Sequence, residues 1–231
     1  MQQQAFDIPV TPRYGFKNFI PCSGNATALE FARRIVSGME PEKVLYIYGP
    51  SGSGKTHLLH AVAESLAADG VRVIRCADLL EINPELGLKL LSSGKAMLVD
   101  EMEKLPASPC TRNILWEAFN IHHCARHPIV MAGRLHPREL KNLDEHLISR
   151  LLWGLVASMD VSDDSSRKML LAKLASDRQI ILPEDVAAWL LTTLPRDVGS
   201  LVSACDTLYR AALEQKKKIS LRLARDIFRQ S

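Results

Sequence analysis

The sequence lacks any long apolar run. Stretches such as Val44 to Tyr48 fall far short of the ~18–20 residues that a membrane-spanning helix needs, so a chain that crosses a membrane is excluded. Its start, Met1-Gln2-Gln3-Gln4, has neither the basic region nor the apolar stretch of a secretory signal, and the cytoplasm is the expected residence. Cysteine is scarce: Cys22, Cys76, Cys110, Cys124 and Cys205 lie far apart, odd in number and without a C-x-x-C pair, which suggests neither a disulfide framework nor a four-cysteine zinc site, and they read as reduced thiols. Internal repeats are absent, as is low complexity beyond the glutamines at the N-terminus. What is not scarce is core material. Hydrophobic residues make up 47% and charged residues 24% of 231 residues, which excludes disorder as the main state and fits one large domain or a domain with a small satellite.

The net charge of +3 is unevenly placed. Residues 1–160 hold 17 basic and 17 acidic side chains, whereas residues 161–231 hold 12 and 9, so the excess sits in the last third. Lys216, Lys217, Lys218, Arg222, Arg225 and Arg229 supply most of it. Two readings fit: a solvated, helix-stabilising face, or an electrostatic footprint for an acidic partner or nucleic acid.

Residues 1–15, with Pro9, Pro12 and Gly15, cannot continue a helix and read as an extended arm. After them, short apolar runs alternate with longer helical patterns. Val44 to Tyr48, Val71 to Ile74, Ala96 to Val99 and Ile129 to Met131 are candidate strands. Leu58, Leu59, Val62, Ala63 and Leu66 recur at three- and four-residue spacing, the stripe of a helix that packs on a sheet. That alternation predicts an α/β domain with a mostly parallel sheet over residues 16–160. From Val161 the strand signals stop. Ser162-Asp163-Asp164 offers N-caps before Met169 to Leu174, Leu182-Pro183-Glu184 opens another helix, and Asp197 precedes Leu201, Cys205 and Leu208. Residues 161–231 thus read as an all-helical subdomain.

Gly49-Pro50-Ser51-Gly52-Ser53-Gly54-Lys55-Thr56 satisfies G-x-x-x-x-G-K-[ST] between a candidate strand and a candidate helix, the context that separates a phosphate loop from a glycine-rich turn. Glycines let backbone N–H groups wrap a phosphate chain, the helix points its positive end at the same anion, Lys55 reaches the β and γ phosphates, and Thr56 can ligate magnesium. At the end of another strand, Asp100 would hold the magnesium through water, and Glu101 would orient or deprotonate an attacking water. His123 and His127 are four apart with Cys124 beside them, but no fourth ligand is evident. With His122 they read as the end of the helix before the Ile129 strand.

With these motifs the sequence resembles the AAA+ ATPases and, among them, the DnaA/Hda family of bacterial replication proteins. Phe16 to Phe19 followed by Ser23-Gly24-Asn25 is similar to the family's segment over the adenine. Lys55-Thr56-His57-Leu58-Leu59-His60 matches its phosphate loop and first helix, and Leu143 to Arg150 with Trp153-Gly154-Leu155 looks like its arginine-finger box. The resemblance implies a P-loop AAA+ core with a parallel sheet flanked by helices, followed by a small helical lid. It implies ATP or ADP with magnesium as cofactors, and it places Asn25 and Gly49 to His57 around the nucleotide. Arg150 would be an arginine finger that completes a neighbour's site, against the plainer reading of a surface arginine on a helix. The implied partner is the initiator DnaA, with self-association as a further implication.

Two departures point to weak intrinsic hydrolysis. Ala132-Gly133-Arg134 puts a cation where the family has an acid, and Asp197-Val198-Gly199 puts a glycine where the family has a phosphate-contacting arginine, with Arg196 on a turn three residues earlier as a weaker candidate to substitute. Gln3 to Ile8 is similar in spacing to a glutamine-led peptide that docks on the sliding clamp, although Gln4 replaces the usual leucine. With only Gln230-Ser231 after the helical part, sequence-specific DNA binding is not expected. The expected function is a switch-off regulator of replication initiation; the alternative is a self-sufficient, loader-type ATPase acting on DNA or a helicase. A small-molecule kinase is disfavoured, because the helical part follows the whole sheet instead of interrupting it.

Overall fold

A computed structural model of the chain describes residues 14–66, 71–79, 83–178, 180–215 and 217–228. The peptide at residues 3–8 and nearly all of the 1–15 arm lie outside these, as do Lys216 and Arg229. Five strands, β1 (Val44–Tyr48), β2 (Val73–Arg75), β3 (Met97–Asp100), β4 (Ile129–Gly133) and β5 (Leu155–Ser158), form one sheet in the order β2-β3-β4-β1-β5. Every pairing is parallel, with Tyr46 beside Met131 and Val156 in register. Parallel strands are covered on both faces, which is why β1 reads as an unbroken apolar run.

Alternation along β1 divides the core. Val44 and Tyr46 point to one face, where they meet Leu91, Leu115, Phe119 and Leu151. These come from α3 (Pro84–Ser92), α4 (Pro109–Cys124) and α5 (Glu145–Trp153). Leu45 and Ile47 point to the other, against Leu29, Ala32 and Ile35 of α1 (Ala26–Val36) and Leu58, Leu59 and Val62 of α2 (Lys55–Ser65). Each fully buried leucine of this kind contributes about 1.5–3 kcal/mol relative to exposure. Among the described residues, no helix is long and apolar enough to cross a membrane.

The four candidate strands are present, the first with the same ends and the other three with shifted ones: the second spans Val73–Arg75, where the sequence suggests 71–74. β5 was not foreseen. It is a four-residue edge strand with one buried residue, Ala157, so it carries neither a long apolar run nor a clean alternation. α4 ends at Cys124, as the histidine cluster suggested.

After β5 come α6 (Asp164–Asp177), α7 (Glu184–Thr193), α8 (Val198–Gln215) and α9 (Leu221–Phe228), around a separate core that includes Leu171, Val186, Leu190, Leu201 and Leu208. Of the candidate caps, Asp163 Oδ1 accepts from Ser166 N at 2.8 Å and Asp197 Oδ1 from Ser200 N at 2.8 Å, each satisfying a first-turn N–H. Arg167 is 1% exposed and donates to the carbonyls of Leu191 (2.6 Å), Leu194 (3.2 Å) and Pro195 (3.2 Å). A cation thus satisfies the carbonyls at the C-terminal end of α7 and fixes the turn into α8. Replacing Arg167 with Ala strands those carbonyls and is expected to lower unfolding free energy by about 3 kcal/mol in urea denaturation.

His122 is fully buried, and its Nε2 donates to Leu91 O at 3.0 Å, tying α4 to α3. Its Nδ1 is then left to accept from His127 Nδ1, 3.3 Å away. Burial lowers its pKa first, the bond to Leu91 O opposes that, and His127 lowers it further. A folded-state pKa below the unfolded value of 6.5 leaves stability level above pH 6.5. Stability is then lost as pH falls from 6.5 toward the folded-state pKa, where the unfolded chain takes up a proton that the folded one refuses. His122→Gln is expected to flatten that loss in denaturation curves collected across this range.

Candidate nucleotide-binding site

In open parallel sheets, ligands bind beyond the carboxyl ends of the strands. Here those ends carry the phosphate loop after β1, Asp100 and Glu101 at β3 and Gly133 and Arg134 at β4, and α8 lies across them. Together they enclose a cavity of about 580 Å³.

All three glycines of the Gly49–Gly54 loop adopt positive φ, Gly52 at 75°. Gly54 precedes α2 at φ 95°, a left-handed conformation. Gly49 has φ 152°, and a Cβ there would lie 2.0 Å from Met159 O. That close approach is maintained by Met159 N donating to Tyr48 O at 2.7 Å. Ser51, Gly52, Gly54, Lys55, Thr56 and His57 line the cavity, whereas Pro50 contributes a carbonyl to Lys55.

Lys55 is only 8% exposed. Its Nζ donates to Gly49 O and Pro50 O, both at 2.7 Å, and to Ser53 Oγ at 3.3 Å. Burial lowers its pKa, Asp100 and Glu103 pull it up, and Arg134 pushes it down. Thr56 Oγ1 donates to Asp100 Oδ2 at 2.6 Å, so the two candidate magnesium ligands meet. The second Asp100 oxygen accepts from Glu101 N at 2.8 Å. Glu101 itself adopts φ 59°, uncommon for a side chain larger than glycine, and its carboxylate pairs with Lys104 Nζ at 2.6 Å.

His57 sits among rings. It is edge-on to Tyr14 (5.2 Å) and Phe19 (5.2 Å), and Nε2 lies 3.3 Å from Gly15 O. Its pKa is lowered, first by burial. Asn25 is buried but does not line the cavity: its Oδ1 accepts from Cys22 N (2.9 Å) and its Nδ2 donates to Ile20 O (3.0 Å), bracing its own segment. Arg150 lies on α5, away from the cavity, with its guanidinium 5.0 Å above the Trp153 ring. Trp153 is 70% exposed.

Several lining residues were not singled out from sequence as parts of the site: Tyr14, Glu103 and the face of α8 formed by Val202, Ser203, Thr207 and Arg210. The one available signal was the spacing of Ser203, Thr207 and Arg210, which puts three polar groups on one helical side. Tyr14 and Glu103 reach the cavity through folding that no local pattern marks.

The sheet order, the phosphate loop and the strand-end acids define a P-loop AAA+ fold with a helical lid. Residues 10–77 and 86–158 match the family profile of the bacterial DnaA ATPase domain, and residues 163–228 match that of the Hda lid domain. The chain belongs to the DnaA/Hda family of AAA+ proteins. The chromosomal replication initiator protein DnaA of Francisella philomiragia is 26% identical over 99% of this chain and 49% of its own length. DnaA of Clavibacter sepedonicus is 24% identical over 96% and 50%. The chain therefore spans about half the length of these curated relatives. Domain III of Thermotoga maritima DnaA superposes with a TM-score of 0.82 at 25% identity, covering 96% of this chain and 98% of that one. AMPPCP-bound DnaA from Aquifex aeolicus shares the fold, with a TM-score of 0.78 at 23% identity over 88% and 67%.

Gly49→Ala is expected to push the phosphate loop away from Met159 and lower the melting temperature by roughly 2–4 °C, the shift that about 1 kcal/mol causes in a protein of this size. A thermal scan followed by circular dichroism checks it.

Proposed function

We propose that the chain is a nucleotide-binding regulator of replication initiation, which binds ATP or ADP with magnesium and promotes hydrolysis of ATP held by the initiator DnaA. The observation that carries this reading is the separation of two cations: Lys55 lies inside the chain's own cavity, and Arg150 lies outside it on α5. A guanidinium so placed does not serve its own site but can stabilise charge on a phosphoryl group carried by a neighbour, a contribution of ~10³–10⁵ in rate where measured.

In this reading residues 16–160 form the nucleotide-binding subdomain and 161–231 the lid. Gly49 to Thr56 would cradle the phosphates, with Lys55 drawn forward from its loop carbonyls, and Tyr14 and His57 would offer ring faces to the base. Thr56 and Asp100 would hold a magnesium ion, which supplies charge neutralisation when bound. Glu101 would orient water, but its carboxylate is already engaged by Lys104 and Gly199 brings no cation, so intrinsic turnover would be slow. Residues 1–15 would form an arm whose segment 3–8 docks on the sliding clamp as an extended peptide, with Phe6 and Ile8 as apolar anchors. Self-association through a surface other than the Arg150 face is a further part of the proposal.

The adjacent Asp100 and Glu101 favour a second reading, a loader-type ATPase that acts on DNA or a helicase by its own turnover. Turnover that rises with single-stranded DNA and disappears in Glu101→Gln would support it. The leading reading is tested by ATP turnover of purified initiator with clamp-loaded DNA and this chain added. Turnover is expected to rise with the unaltered chain and to stay at the unstimulated rate with Arg150→Ala. An unchanged rate with the unaltered chain, or full stimulation by Arg150→Ala, contradicts it.

A further inference from the structure

One pair of opposite charges in the cavity has no part in the phosphate cradle or the magnesium ligands. Glu103 Oε2 accepts from Arg134 N at 3.0 Å, and Glu103 Oε1 lies 3.3 Å from Arg134 Nε. Both residues line the cavity with Lys55, and both charges are felt at the Lys55 ammonium. The pair is held at the loop by the sheet: Gly49 N donates to Gly133 O at 3.3 Å, joining the ends of β1 and β4 one residue before Arg134. Gly133 leaves the room, since a Cβ there would lie 2.5 Å from Tyr46 Oη and 3.2 Å from Glu103 Oε2.

The neighbouring charges are already committed. Asp100 is bonded to Thr56, and Glu101 to Lys104. Across the cavity α8 presents Gly199, while Arg210, the lid's cation, lies three turns further along α8, about 16 Å of helix. The Arg134 side chain is 57% exposed, and an ion pair with so exposed a partner is weak enough to be exchanged. A phosphate offers a guanidinium two charge-assisted hydrogen bonds at once.

We propose that Arg134 and Glu103 together read the third phosphate of a nucleotide in this cavity. Arg134 leaves Glu103 for a nucleoside triphosphate and stays on Glu103 beside a diphosphate, so the pair supplies in cis the cation that Gly199 cannot. The proposal rests on the nucleotide-binding reading above and adds to it the residue that distinguishes ATP from ADP. Without Arg134, the Glu103 carboxylate is left facing the additional negative charge.

The test is calorimetric titration of the full chain, with magnesium, against ADP and against AMPPCP, for the unaltered protein, Arg134→Ala, Arg134→Lys and Glu103→Gln. Arg134→Ala is expected to weaken AMPPCP binding about tenfold, the effect of losing one strong charged hydrogen bond, while leaving ADP affinity nearly unchanged. Arg134→Lys recovers part of the loss, and Glu103→Gln shifts the ratio toward the triphosphate, opposite to Arg134→Ala. The proposal is overturned if the ratio is the same in Arg134→Ala as in the unaltered chain, or if Glu103→Gln shifts it the same way as Arg134→Ala. If the unaltered chain binds neither nucleotide, the nucleotide-binding reading falls and this inference falls with it.

Discussion

The Lys55 ammonium, buried at the carboxyl end of a parallel sheet, is the constraint around which the site is arranged. A charge with so little contact with water needs partners, and the loop carbonyls of Gly49 and Pro50 supply them directly. Those carbonyls are in place because Gly49 packs against Met159 where a larger residue would collide. Asp100 balances the charge through space, and Thr56 holds Asp100. The order β3-β4-β1 brings these groups together from positions far apart in sequence. A loop that holds its own lysine this way is preorganised for an anion, which replaces the carbonyls as partner.

The lid closes the same cavity from a separate core. Arg167 ties the end of α7 to α6, and that anchoring sets where α8 begins and which of its residues face the phosphate loop. The helix presents Gly199 near the loop and polar groups further along, so among the described residues α8 borders the site without placing a cation next to the phosphate loop. Together with the Glu101–Lys104 pair, this fits a protein that holds a nucleotide more than it consumes one.

Much of the fold was legible because its signals are local. The phosphate loop, the acids after β3 and the caps at Asp163 and Asp197 each depend on a few consecutive residues. The apolar runs of β1, β3 and β4 are continuous because both faces of the sheet are covered. β5 was not legible, since a four-residue edge strand with one buried residue leaves no periodic trace. The other half of the site was hidden for a different reason. Tyr14, Glu103 and the polar side of α8 gain meaning only once the chain brings them to one cavity, and Asn25, expected over the base, is occupied by the backbone of its own segment.

The central claim is that Arg150 acts on a neighbour's nucleotide while the chain keeps its own. Single-turnover hydrolysis, with the isolated chain in excess over a limiting amount of labelled ATP and magnesium, bears on it most directly. If the claim holds, ATP is bound and remains intact over many minutes, and Arg150→Ala changes neither binding nor that slow rate. Rapid hydrolysis by the isolated chain, or loss of its own ATP binding in Arg150→Ala, contradicts it.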